Sequence, residues 1–364
     1  MSIGERLKIA RKQRGLSEAA LAEQAGVSQE HIARYEQERV VPDSQSLIRL
    51  AKALGVSLEW LMRPVTISLP TPAYRSHANR LKEWELAWIE QQVQEWLERY
   101  LAIEDILQGR LSFVQPEIRR TIKTLEETEQ VAEALRQAWN LGDDAIPSMI
   151  DTLEKHGIRV GLIPAENHDH FDALALSLGP QDLIMVVKAN VPGDRQRFSL
   201  AHELGHLVLE MPSDWSRDQM EKAANRFSAA FLVPQAVVFR ELGPKRTSLD
   251  LLELHLLKHH YGLSMQAWIY RAYDLKIISE ETKQWLFRLF RQRGWHRQEP
   301  GDAYPPEKTD RLERMVLRAF REGLISESRA SELLGCSLEE FFHQAQSEHG
   351  GLPALLYTGC ECSD

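Results

Sequence analysis

Residues 197–210 read RFSLAHELGHLVLE. Phe198, Leu200, Leu204, Leu207 and Val208 recur at helical spacing, so the stretch is predicted to be a buried amphipathic helix. Within it lies His202-Glu203-Leu204-Gly205-His206. Residues four apart share one helix face, so both imidazoles can reach a single tetrahedral zinc. Glu203, one position along, is placed to take a proton from a water that the metal acidifies and that attacks a carbonyl. A catalytic zinc needs a third protein ligand and one open position. The downstream carboxylates Glu210, Asp214, Asp218 and Glu221 are the candidates. Glu221 opens EKAANRFSAAFLVP (221–234), an amphipathic helix able to pack against the first. Two imidazoles and a carboxylate suit zinc; manganese is the alternative, because affinity order alone does not fix occupancy.

Upstream, 157–163 (GIRVGLI) and 182–188 (DLIMVVK) are short, apolar and β-branched and read as strands, with 171–178 (FDALALSL) as a third. The 182–188 strand is expected at the sheet edge, where an extended substrate could pair with it. Helices are predicted over 116–140, 194–210, 218–232, 248–261 and 264–275, and the remainder to about 345 is helical too. Helices, a small sheet, then helices is an α+β arrangement. No internal repeat and no low-complexity tract is visible. His259, His260, Tyr261, Tyr270 and Arg271 are candidates to stabilise an oxyanion, although each residue type more often serves structure. His168 and His170 form an H-x-H in a polar loop, a spacing more often solvent-exposed than ligating. Arg195 and Arg197 are expected to pair with carboxylates or to cap local structure.

At the other end, residues 3–62 hold short amphipathic helices. Ser17 and Ser28 stand where N-caps belong, Gly15 and Gly26 where helices end, and Pro42-Asp43 marks a further break. Ser17–Gln24 and Ser28–Gln37, joined by Ala25-Gly26-Val27, fit the positioning and recognition helices of a helix-turn-helix. Val27 and Ile32 would lock the pair together. A connector with Pro64, Pro70 and Pro72 follows. A helix over about 79–108 then carries Leu81, Trp84, Trp88, Val93, Trp96, Leu97 and Tyr100 on one stripe. That stripe is expected to be packed core or the seam of a dimer.

The chain has 364 residues and a net charge of −9, so any DNA contact must come from a local patch. No apolar run approaches the roughly 20 residues that span a bilayer, and the first residues lack the apolar core of a secretory signal. The three cysteines, Cys336, Cys360 and Cys362, read as reduced thiols, the last two in a polar tail. Cytoplasmic residence and no membrane partner are the expectations.

The segment 4–62 resembles the XRE family (Cro and lambda-repressor type) through Arg11, Gly15, Leu16, Leu21, Ala22, Gly26, Val27, Ser28, Ile32, Tyr35, Glu36, Pro42, Leu50, Ala51, Leu54 and Leu61. The resemblance implies that Gln29, Glu30, His31 and Arg34 face base edges or phosphates and that Ser17 and Arg39 meet the DNA backbone. Glu18 stands where that family often has Gln, and Glu30 adds a negative charge beside the groove, although a carboxylate can accept from cytosine N4.

The stretches 193–210 and 221–234 resemble the ImmA/IrrE metallopeptidases, and the likeness extends over roughly 150–300, including LSMQAWIYRAYDLKIIS (263–279) and RGWHRQEP (293–300). It implies a gluzincin-like site with His202, His206 and Glu221 as metal ligands and Glu203 as the base. Ala223 stands where the family often has a second glutamate, which leaves Glu221 as the ligand.

The expected architecture is therefore mainly α with a small α+β zincin-like domain. It divides into an all-α helix-turn-helix domain at 1–64, a linker and long helices at 65–130, a metallopeptidase domain at 131–245 and a helical C-terminal region at 246–364. The expected function is a DNA-binding regulator with a zinc endopeptidase that cuts a repressor or antitoxin-like protein, acting as a homodimer on a double-stranded operator. The competing expectation is a non-proteolytic regulator of toxin–antitoxin type whose zincin domain senses metal or a partner.

Overall fold

The computed structural model describes residues 2–56, 58–62, 69, 82–165 and 170–347. His168, Cys360 and Cys362 lie outside them. The chain divides into two compact units, one of Met1–Gln94 with Ser112–Lys308 and one of Glu95–Leu111 with Thr309–Asp364. Among the described residues no helix is long and apolar enough to cross a membrane.

The N-terminal helices are α1 (Ile3–Gln13), α2 (Glu18–Ala25), α3 (Gln29–Glu36), α4 (Ser44–Leu54) and α5 (Leu58–Met62). The starts of α2, α3 and α4 are chemically marked. Ser17, Ser28 and Asp43 cap α2, α3 and α4 by accepting the backbone N–H of Ala20, His31 and Ser46. Gly26 ends α2 with φ 62°, in the left-handed region that a side chain at Cβ disfavours. Leu7, Leu21, Ile32, Leu47, Leu50 and Leu61 meet in one small core. Arg11 clamps that core from the rim. Its guanidinium donates to both oxygens of Glu36 at 2.6 and 2.7 Å and to the Leu16 carbonyl at 2.9 Å.

Helix α6 (Glu83–Ile106) carries the tryptophan stripe. Trp88, Val93, Trp96, Leu97 and Tyr100 are buried within the chain. Their burial agrees with the packed-core expectation for this stripe.

A second and larger core runs from Phe113 to Phe290. It is built on α7 (Glu127–Ala138), α8 (Met149–Lys155), β1 (Ile158–Ile163), β2 (Ala173–Gly179), β3 (Asp182–Lys188), α9 (Gly193–Val208), α10 (Arg217–Leu232), α11 (Gln235–Leu242), α12 (Leu251–Tyr261), α13 (Met265–Asp274) and α14 (Glu280–Gln292). The expected divisions at 130/131 and 245/246 both fall inside this core. Trp268, Ile269 and Phe290 pack into the same cluster as the sheet residues.

Two expectations are corrected here. Helix is predicted over 116–140, but only α7 is helical. The residues before it are irregular, bent at 118 and 123–125, with Thr121 bridged to Glu210. Ile118, Ile122 and Leu125 have helical spacing yet serve an irregular segment packed on the core. The sheet order is β1-β3-β2, with β3 parallel to β1 and antiparallel to β2. The 182–188 strand is therefore central, not at the edge. Its unbroken run Leu183–Val187 is buried residue after residue, as a strand covered on both faces requires. The edge beside the metal-motif helix belongs to β2.

The second unit contains the end of α6 and three helices, α15 (Arg311–Arg321), α16 (Glu327–Leu334) and α17 (Leu338–Ser347). Ile103, Val316, Ala319, Ala330, Leu333 and Phe341 form its core.

Candidate metal centre

Helix α9 is fixed at its N-terminal half by side chains that reach far along the chain. Gly193 N–H donates to the Tyr304 carbonyl at 3.1 Å. A Cβ on Gly193 would stand 1.9 Å from the Pro305 oxygen, so only glycine fits this contact. Gln196 donates to the Lys188 and Ala189 carbonyls at 2.9 and 2.8 Å, tying the helix to the end of β3. Arg197 is fully buried and donates to Glu307 at 2.6 Å and to the Ile146 carbonyl at 2.6 Å. The other Glu307 oxygen accepts the first amides of α8, from Met149 at 2.8 Å and Ile150 at 3.1 Å. A buried arginine is tolerable only when paired and bonded in this way.

The C-terminal half of α9 packs on α10 through Gly205. A Cβ there would meet Phe227 at 3.0 Å and the Ala224 Cα at 3.4 Å. This close approach brings Glu221 and Asn225, four apart on α10, over His202 and His206, four apart on α9. His202 Nε2 lies 3.3 Å from Glu221 Oε2, His206 Nε2 lies 3.7 Å from Glu221 Oε1, and the two Nε2 atoms are 3.0 Å apart. Among the described residues this is the group of three whose ligand atoms gather within 4.8 Å of one another. The two His–Glu distances run to different oxygens of Glu221; taken with one ligand atom per residue, the three groups lie within 4.8 Å of one another, close enough to hold one ion.

Asn225 supplies a detail absent from the sequence reading. Its Oδ1 stands 3.0 Å from His202 Nδ1. An amide oxygen only accepts, so the proton sits on Nδ1 and Nε2 keeps its lone pair for a cation. Burial lowers the affinity of His202 for a second proton. The bond to Glu221, the charges of Glu203 and Glu221 and the bond to Asn225 outweigh burial and leave its pKa raised. Glu203 is buried, and burial pushes its carboxyl up to about 7. Nearby His202 and the Ala175 backbone amide oppose that rise, and Glu221 adds to it.

A cavity of about 150 Å³ opens over these groups, lined by Asp172, Ala173, Phe198, Ser199, His202, Glu203, Glu221 and Asn225. Asp172 and Ala173 lie at the start of β2. Arg195 holds Asp172 at 2.7 Å. The other carboxylates considered as ligands lie elsewhere. Glu210 pairs with Arg120 at 2.6 Å, Asp218 with Lys222 at 2.6 Å, and Asp214 is exposed. None of the oxyanion candidates lines the cavity. Arg271 is buried against Glu129 at 2.5 Å, Tyr261 donates to Glu241, His259 bonds the Asp302 carbonyl, and His260 and Tyr270 are exposed. His170 is exposed as well.

On the helix-turn-helix, Ser17, Ser28, Gln29, Glu30, His31, Arg34 and Arg39 are all exposed. Arg34 is paired within its own helix to Glu30 at 2.7 Å. His31 Nδ1 bonds the Ser28 hydroxyl at 2.8 Å and its ring stacks on Tyr35.

Comparison with known proteins matches residues 7–61 to the family described as Helix-turn-helix and residues 153–273 to the IrrE N-terminal-like domain. The chain is 34% identical over 67 residues to the Immunity repressor protein of Bacillus phage phi105, covering 18% of this chain and 46% of the relative. It is 35% identical over 60 residues to the SPbeta prophage-derived uncharacterized HTH-type transcriptional regulator YonR of Bacillus subtilis (strain 168), covering 16% and 56%. The chain thus spans about half the length of these curated relatives. Among solved structures, the P22 c2 repressor with a synthetic operator shares 33% identity over 17% of this chain and 96% of its own, with a TM-score of 0.17. The complex of ComR from S. thermophilus with DNA and its signalling peptide shares 12% identity over 92% and 99%, with a TM-score of 0.19.

Proposed function

We propose, for a chain that joins an XRE-type helix-turn-helix to an IrrE/ImmA-like domain, a DNA-binding regulator whose zinc-dependent endopeptidase cuts a repressor or antitoxin-like protein. The observation that carries this reading is the convergence of His202, His206 and Glu221, one ligand atom from each within 4.8 Å of the others, with Glu203 buried beside them.

Zinc, when bound, acidifies a water and polarises the carbonyl to be attacked. His202 and His206 hold the ion through Nε2 and Glu221 through its carboxylate. Asn225 keeps the His202 proton on Nδ1. Glu203 takes the proton of the attacking water and returns it to the leaving amine. A carboxyl held at about 7 is suited to both directions of transfer near neutral pH. The substrate enters as an extended segment along the free edge of β2, which starts at the cavity wall.

In the other domain, Gln29, Glu30, His31 and Arg34 face base edges or phosphates of the major groove, and Ser17 and Arg39 hold the DNA backbone. Arg34 exchanges Glu30 for DNA on binding. The chain works as a homodimer on a palindromic operator in the cytoplasm. Exposed Ile48 and Met62 offer seam residues in place of the buried tryptophan stripe. The DNA-binding domain thereby brings the peptidase to promoters where repressors sit.

Comparing protein termini by mass spectrometry in cells carrying wild type or Glu203→Gln tests the reading. Fragments of a repressor or antitoxin present with wild type and absent with Glu203→Gln are expected. Identical fragments in both, with a normal transcriptional response, would overturn it.

A further inference from the structure

Helices α15–α17 repeat the local plan of α1–α3, shifted by 309 positions. Leu7 and Ala10 are buried on α1, and Val316 and Ala319 are buried on α15. Ser17 caps α2, and Ser326 caps α16. Leu21 and Ala330 are the fully buried residues one turn in. Gly26 and Gly335 end the second helices in the left-handed region, at φ 62° and 70°. The next residue bonds back five positions in both, Val27 to Ala22 at 3.0 Å and Cys336 to Ser331 at 3.1 Å. Ser28 then caps the third helix by accepting from His31 N–H, and Ser337 by accepting from Glu340 N–H. Ile32 and Phe341 are the buried anchors of those third helices. Beyond the caps and the turn glycine, identity within α1–α3 is confined to Ala10/Ala319, Glu18/Glu327, Glu23/Glu332 and Glu30/Glu339, while the anchors match in burial rather than in residue type.

The outward faces of the two third helices differ. Gln29 and Ala33 on α3 correspond to Leu338 and Phe342 on α17, which are 45% and 39% exposed. Exposed Glu339 lies between them and matches Glu30 of α3, while exposed Glu340 stands where α3 has His31. Residues 2–62 carry nine Lys and Arg against eight Asp and Glu, whereas 309–347 carry five against seven. That carboxylate is common to both copies, so the difference lies in the leucine–phenylalanine pair four apart, which offers an apolar stripe, and in the negative balance of charge around it.

We infer that the C-terminal unit is a second helix-turn-helix whose third helix docks a protein instead of DNA. The partner is a basic amphipathic segment. Its apolar face covers Leu338 and Phe342, and its cations meet Glu339. The inference uses the proposed DNA-binding role of the first copy only as a contrast and does not involve the metal site.

The test gives α17 the surface of its counterpart through Leu338→Gln with Phe342→Ala in the full chain. Both residues are exposed, so thermal unfolding should stay at the wild-type temperature. Binding of a synthetic helical peptide of alternating Lys-Leu-Leu-Lys units is measured by calorimetry. Binding of a random duplex of about 30 base pairs, long enough for the phosphate contacts of one domain, is measured beside it. The peptide should bind wild type and weaken at least about tenfold in the variant, since burying leucine and phenylalanine side chains exceeds that factor. DNA affinity should stay unchanged. No peptide binding to wild type, or equal binding to both proteins, overturns the inference. A fall in DNA affinity in the variant overturns it in favour of a second DNA contact, and leaves the first domain's role to its own test.

Discussion

The helix-turn-helix and the metal-bearing domain place charge over different reaches of the chain. In the first, Gln29, Glu30, His31, Arg34 and Arg39 lie exposed; Arg6 and Arg11 are buried, and Arg11 meets its carboxylate, Glu36, only 25 residues away. In the second, Arg136, Arg159, Arg197 and Arg271 are almost wholly buried, and Arg197 finds its carboxylate 110 residues away. The difference follows from what each must do. A DNA-reading surface works by facing solvent. A metal helix needs its ligands held within a fraction of an ångström, which buried, mutually satisfied charges provide at a cost in desolvation. The contrast implies that polar substitutions in the metal domain are far more damaging than those in the helix-turn-helix.

The largest expected effect is at Glu307. Glu307→Ala leaves the Arg197 guanidinium buried and two α8 amides unbonded. Removing one partner of a buried pair costs about 3–5 kcal/mol, read from urea unfolding of the metal-bearing domain. A loss under 1 kcal/mol, by the same scale of buried pairs, would break the contrast.

Asn225→Ala comes next. It frees the Nδ1 proton of His202 without removing a ligand. Zinc affinity should fall about 10–100-fold, as for other partners of ligating histidines, in a competition titration against a chromophoric chelator. An unchanged affinity would mean that packing alone orients the ring.

Ser17→Ala removes one cap from the exposed domain and should cost about 1 kcal/mol of its stability, measured by thermal unfolding. Glu30→Gln is the mildest change. It releases Arg34 and removes one charge at the groove, so affinity for non-specific duplex at low salt should rise roughly two- to tenfold, without a shift in melting temperature. A drop in affinity would show that Glu30 makes a favourable base contact.

The same contrast governs how much the sequence reveals. Ser17, Gly26 and Ser28 act within a few residues of themselves, so caps and turn can be read directly, and α2 and α3 begin one residue after the predicted caps. The HExxH face and the α10 helix are legible for the same reason, because spacing of four is local. Sheet order is not local. The run Leu183–Val187 announces a buried strand but does not say which neighbours cover its edges, and β3 proves central. Residues 116–126 have helical spacing but answer to a bridge with Glu210, far along the chain. Glu307, Asn225 and the β2 wall of the cavity leave no mark in local pattern, since each acts through contacts the chain makes only when folded. The C-terminal repeat shares caps and anchors and little else, below what a scan for similarity detects.

The central claim is that His202, His206 and Glu221 hold one metal while Glu203 stays free to act on substrate. Elemental analysis of purified wild type, His202→Ala and Glu203→Gln tests it most directly. The account predicts one zinc per chain in wild type and in Glu203→Gln, and none in His202→Ala. Wild type that takes up no metal even after reconstitution, or His202→Ala that keeps a full complement, would contradict it.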